Sequence, residues 1–160
     1  MWLISLLIQA AEGETCTSAN QNTIQMPYTI EVCDNDLLEH VQAAIKYWRT
    51  KDAKLKLNPG ISSCTRQPSI YTIQAQYNDF EVNKEHTDTF VAYAVTEQTH
   101  FYNSLDIRHS VIFIATNLPA DRLSMLMIHE MGHALGYEHV DKSCEGYVMH
   151  PYNSKMGLKL

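Results

Sequence analysis

Apolar residues along this chain recur at two spacings, every second residue or every third to fourth, and the changes between them mark out the elements. Tyr28-Thr29-Ile30-Glu31-Val32 alternates and reads as a half-buried strand. Beyond it, Leu38, Val41, Ala44, Ile45 and Trp48 fall at three- and four-residue steps, which predicts an amphipathic helix over Asp36–Thr50, with Asn35 or Asp36 as its cap. Asn58-Pro59-Gly60 carries the residues of a turn. Ser69–Gln76 and Phe90–Val95 read as strands through their β-branched and aromatic content, and Ser110–Thr116 as the most buried strand. A second helix is expected from Pro119 to Leu135. Thr15–Met26 and Tyr77–Asp88 are polar and read as loops, and the 25 residues after Leu135 show no strong period. Repeats, low-complexity tracts and linkers are absent from the sequence.

With 160 residues the chain is expected to form one domain, residues 14–160. The first 13 residues are set apart. Trp2–Ile8 is apolar and Ala11-Glu12-Gly13 offers small residues, the pattern of a cleaved secretory signal. No Lys or Arg precedes that run, and the other reading is an apolar N-terminal arm. Twelve Lys and Arg stand against 18 Asp and Glu, a net charge of −6, which argues against a nucleic-acid partner. No apolar run approaches the ~20 residues of a membrane span.

Eight histidines matter because three of them are spaced for a purpose. His129-Glu130-Met131-Gly132-His133-Ala134-Leu135-Gly136-Tyr137-Glu138-His139 reads H-E-x-x-H-x-x-G-x-x-H. Residues four apart on a helix share a face, so His129 and His133 can offer two imidazole nitrogens to one metal ion. Gly136 can take a positive φ, end the helix and bring His139 round as a third ligand. Three imidazoles with one open position describe a catalytic zinc site, whereas structural sites are closed by four protein ligands. Glu130, next to His129, is placed to act as general base on water held there. Five fixed residues at fixed spacing recur by chance roughly once in ten million positions at average residue usage.

The motif resembles that of the metzincin clan of zinc endopeptidases. By that resemblance Met149, in Tyr147-Val148-Met149-His150-Pro151-Tyr152, is the Met-turn residue lying beneath the metal. Within the clan the chain is most similar to the matrixins. Ala43-Ala44-Ile45-Lys46-Tyr47-Trp48 resembles their first helix with its tryptophan, and Met149-x-Pro151 resembles their Met-turn. The resemblance spans roughly Tyr28 to Tyr152. Astacins fit less well: Val140 follows the third histidine, and Tyr152 stands three residues after Met149 where their metal-binding tyrosine stands two after.

The resemblance implies a zincin-like α/β fold: a twisted mixed sheet of four to five strands, a backing helix, an active-site helix and a small irregular C-terminal lobe over Tyr137–Leu160. It implies a cleft for an extended peptide. The substrate-binding residues would be Ala92, Tyr93 and Ala94 on an edge strand and Pro151, Tyr152 and Asn153 in the pocket wall. Matrixins often hold a second, structural zinc. His86-Thr87-Asp88 matches its H-x-D element, but Tyr93 and Arg108 stand where two strand histidines are expected. A single catalytic zinc is therefore expected, with His100 and His109 as the only nearby substitutes.

Four cysteines, Cys16, Cys33, Cys64 and Cys144, suggest two disulfides with three possible pairings, and none has C-x-x-C spacing. A bridge at Cys144 would tie down the segment under the metal. Cys16 has a rival role as a thiolate holding the zinc site latent. The expected function is endopeptidase, acting outside the cell on extended peptides. Two alternatives stand beside it: a catalytically silent metzincin-like binding module, for instance in a larger particle, and a zinc hydrolase of a non-protein amide. Glu130 disfavours the module, which would have no use for that carboxylate.

Overall fold

The computed structural model describes residues 16–23, 27–51, 57–78 and 93–151. Its elements follow in the order β1 (Tyr28–Val32), α1 (Leu38–Lys51), β2 (Leu57–Ser63), β3 (Thr72–Asn78), β4 (Ala94–His100), β5 (Ile107–Ala115) and α2 (Ala120–Ala134). The strands form one sheet in the order β2-β1-β3-β5-β4. All pairs are parallel except β4 with β5, which is antiparallel. The result is a mixed α/β architecture with one antiparallel strand at its edge.

The apolar periods explain how the layers meet. Ile30, Ile73, Ile112 and Ile114 are fully buried, as are Val41 and Ala44 of α1 and Leu126, Met127, Met131 and Ala134 of α2. They belong to one continuous core. α1 packs on α2, and α2 lies against β4 and β5. The sheet therefore sets the height of α2, and α2 carries the histidine motif. Trp48 fastens the two helices: its indole Nε1 donates to the Ile128 carbonyl at 2.7 Å, and its ring stacks on Tyr137 at 4.7 Å.

Several predicted elements need correction. Asn58-Pro59-Gly60 lies inside β2, not in a turn. Tyr28 faces Leu57 while Ile30 faces Ile61, so those three residues stand opposite the single Thr29. β2 is a sheet edge, where a proline without an N–H and an irregular register are tolerated. The strand expected at Phe90–Val95 is β4, displaced toward the C-terminus: Tyr93 sits in a bend and pairing begins at Ala94. Phe90, Val91 and Ala92 lie outside the described residues. β4 is polar and mostly exposed beyond Ala94, so no apolar alternation announces it. β3 begins at Thr72, after Tyr71 takes a left-handed φ of 59°. β5 begins three residues before the predicted strand. Neither Asn35 nor Asp36 caps α1. They lie in a short 3₁₀ turn, Asn35–Leu37, that runs into it, and Asp34 Oδ2 instead accepts the Tyr77 N–H at 2.7 Å.

Two disulfides brace this frame and leave no free cysteine. Cys33–Cys64 joins the residues that follow β1 and β2. Cys16–Cys144 joins the N-terminal segment to the irregular segment after α2. Cys16 is thus a bridge partner, not the thiolate considered for a latent zinc site. No helix among the described residues is long and apolar enough to cross a membrane.

Candidate metal centre

The centre grows from the last turn of α2. His129 and His133 are one turn apart, and Gly136 follows with φ of 98°, the left-handed conformation the motif requires. A Cβ there would lie 2.6 Å from Asn22 Cβ and 2.7 Å from Asn20 Oδ1, so any larger residue would be strained and crowded at once. The chain then turns back and delivers His139. The segment 16–23 straps this return. Glu138 N–H donates to the Ala19 carbonyl at 2.9 Å, Ser18 Oγ donates to the Glu138 carbonyl, and Asn20 Nδ2 donates to the Leu135 carbonyl at 3.2 Å.

The three imidazoles converge through their Nε2 atoms. His139 Nε2 lies 3.2 Å from His129 Nε2 and 3.1 Å from His133 Nε2. Nitrogens around a common tetrahedral ion at ~2.1 Å are separated by about 3.4 Å, so this spacing suits ligands of one metal. The tautomers agree. His129 Nδ1 donates to the Val148 carbonyl at 2.6 Å, and His133 Nδ1 donates to the Tyr137 carbonyl at 2.9 Å. Each ring therefore turns a bare Nε2 lone pair inward. Among the described residues this is the group of three or more His, Cys, Asp or Glu able to hold a metal ion.

Burial keeps these rings in the ligating form. It pushes His129 and His133 down to about 4 in the metal-free chain, with the hydrogen bonds to Val148 and Tyr137 pulling the other way. His139 is lowered for the same chief reason, burial. Glu130 is only 4% exposed, and burial raises it to about 7 against the opposing hydrogen bond from Thr96. Thr96 Oγ1 lies 2.7 Å from Glu130 Oε2. A cleft of about 330 Å³ opens on the group, lined by Ala94, Val95, Thr96, Gln98, His129, Glu130, His133 and His139.

Met149 is buried and packs against α2 at Gly132. A Cβ on Gly132 would lie 2.4 Å from Met149 Sδ and 2.5 Å from Trp48 Cζ2. The helix thus carries a glycine where the methionine and the tryptophan press on it. Val140 N–H donates to the Met149 carbonyl at 3.0 Å, closing the irregular loop onto itself. Tyr147 and Val148 precede Met149 in that loop, and Val148 supplies the carbonyl that orients His129.

Of the expected substrate-binding residues, Ala94 lines the cleft. Tyr93 does not; its ring lies under the Arg122 guanidinium, 4.3 Å from ring centroid to Cζ. Pro151 is not among the cleft-lining residues. Ala92, Tyr152 and Asn153 lie outside the described residues, as do His86 and Asp88. His100 is held through Nδ1 by the Leu105 carbonyl at 3.0 Å, and His109 Nδ1 is buried without a partner; neither joins the three-histidine group. The sequence reading missed Thr96 and Gln98, and also the Tyr137 and Val148 carbonyls. Thr96-Glu97-Gln98 is polar throughout, so no alternation marked the first two. Backbone acceptors leave no mark in a sequence. No protein-family model matches the chain, and no curated protein matches it.

Proposed function

We propose that this protein is a zinc-dependent endopeptidase of the metzincin type, most similar to the matrixins, with a zincin-like fold and a secreted mode of life. The observation that carries the reading is the convergence of three imidazole Nε2 atoms beside a buried carboxyl that lines the same cleft. The two disulfides fit an oxidising, extracellular compartment.

His129, His133 and His139 would hold the zinc through Nε2, at the cleft that Glu130 also lines. Zinc, when bound, supplies a Lewis acid for the scissile carbonyl and lowers the pKa of water. The chain's own residues do the rest. β4 is a sheet edge, and an extended peptide can pair with it by strand addition. Glu130 takes a proton from the attacking water and returns it to the leaving nitrogen. In the metal-free chain burial raises this carboxyl, the direction that favours a group able to take up a proton.

The test is an unbiased peptide-library digest read by mass spectrometry, with zinc-loaded wild-type protein beside Glu130→Gln. Internal cleavage of peptides by the wild type, lost in the variant at equal zinc content, is the expected result. Folded, zinc-loaded wild type that cleaves nothing and cannot be told from Glu130→Gln would overturn the reading in favour of a binding module.

A further inference from the structure

Thr96 lies on β4 and projects toward α2. Its Oγ1 is 2.7 Å from Glu130 Oε2 and 3.0 Å from the Glu130 carbonyl oxygen. One hydroxyl has one proton to give, and the shorter contact, to the group that ionises, is the stronger. Thr96 therefore donates to the carboxylate and occupies Oε2. The other oxygen is different. Among the described residues the single buried side-chain polar atom without a partner is His109 Nδ1. Oε1, which makes no hydrogen bond there, is consequently not sealed in, and Glu130 lines the cleft. Two residues along the same face of β4, Gln98 Nε2 donates to the His133 carbonyl. The edge strand is thus fastened to α2 at the carboxylate and again at the second histidine.

We propose that Thr96 is the positioning residue of Glu130. Its hydroxyl holds Oε2 and leaves Oε1 as the oxygen presented to the cleft. Because Thr96 belongs to the edge strand, a peptide paired along β4 and the base that serves it are held by the same element. The kinetic half of this inference rests on the peptidase reading; the geometric half does not.

Two measurements separate those halves. The first is the carboxyl carbon resonance of Glu130 in metal-free protein labelled with ¹³C-glutamate, assigned by its disappearance in Glu130→Gln. Thr96→Val removes the donor at nearly constant shape and is expected to move that resonance; Thr96→Ser keeps the donor and is expected to restore it. Should the valine variant not fold, Thr96→Ala repeats the loss of the donor with a smaller side chain. The second is steady-state cleavage by zinc-loaded protein. There Thr96→Val is expected to lower kcat about tenfold to a hundredfold, the range a hydrogen bond to a charged group supports, with KM and zinc content unchanged. Thr96→Ser should recover most of the loss. A resonance indifferent to Thr96→Val, or a serine variant as impaired as the valine one, overturns the positioning role. If the resonance responds as expected while wild type cleaves no peptide, the positioning role stands and the peptidase reading falls.

Discussion

Glu31, on β1, and Glu130, on α2, are both buried carboxyls, 5% and 4% exposed. Glu31 is saturated. Oε2 accepts the Thr65 N–H at 3.0 Å, the Thr65 hydroxyl at 3.0 Å and Gln74 Nε2 at 2.7 Å. Gln74 Nε2 also reaches the Thr65 carbonyl at 3.0 Å, so the donors around Glu31 are in turn engaged, beside the Cys33–Cys64 bridge. Glu130 receives one side-chain hydroxyl and keeps an oxygen toward a cleft. The difference separates a carboxylate that holds loops together from one left partly unpaired. A buried polar group is expected to be fully bonded, and the one that is not marks the place where something else is to bind.

The widest separation between the two is expected in catalysis. Glu130→Gln should lower peptide cleavage by about 10²–10⁴-fold, the usual worth of a positioned proton-transfer group, with zinc content and melting temperature little changed. Glu31→Gln should leave cleavage intact. His133→Ala sharpens the contrast, because it removes a ligand: metal analysis after dialysis should find zinc lost together with activity. A Glu130→Gln protein that also loses its zinc would break the distinction, since the carboxylate would then be supporting the metal.

In stability the order reverses. Glu31→Ala takes one acceptor from the buried Gln74 amide, which keeps the Thr65 carbonyl, and one from the N–H of exposed Thr65, which water can serve, so the loss is expected at about 1–3 kcal/mol in all. Denaturant unfolding should show a loss of that order, and zinc titration of the folded variant should match the wild type. An unchanged unfolding midpoint would mean the Glu31 network adds nothing to stability.

The smallest expected effect is on pH dependence, and it has a sign. Burial lowers His129 and His133 from 6.5 to about 4. Between those values the unfolded chain binds protons the folded chain refuses, so their contribution is complete above 6.5 and is lost as pH falls toward 4. Glu130 acts oppositely. Raised from 4.5 to about 7, its folded form keeps a proton the unfolded chain has shed, so its contribution is complete below 4.5 and is lost as pH rises through 7. Two imidazoles outweigh one carboxyl between 4.5 and 6.5. Metal-free protein should therefore gain stability with pH there, by about 1 kcal/mol per pH unit, and Glu130→Gln should steepen the rise. A flat or falling profile in the metal-free variant would contradict the burial of the pair.

What the sequence revealed follows from how local each interaction is. The helix α1 is legible because an apolar stripe repeats with the helical period, and α2 because Pro119 opens it and the histidine motif lies on it. The histidine group is legible because two of its members sit one turn apart and the third is delivered by a glycine turn only three residues on. The edge strands were harder. β2 hides behind Pro59 and Gly60, residues an edge can carry, and β4 is polar on both faces because one long side of it lies open. Glu31 and Gln74 are 43 residues apart and meet only because β1 and β3 run side by side in register. No periodicity encodes that pairing, and Thr96 meets Glu130 across a similar gap. The cysteine count anticipated two bridges, and their pairing needed the strand order.

The Cys16–Cys144 bridge spans 128 positions and encloses the sheet, both helices and all three histidines within one covalent ring. If the protein cuts peptide bonds, its own exposed loops are among the bonds within reach. A single nick anywhere inside the ring opens it to a linear chain but releases no fragment. Autolysed molecules would then migrate as intact ones on a non-reducing gel and fall apart only when a reductant opens the bridge. For this chain, damage by its own activity is legible only in the difference between the two gels.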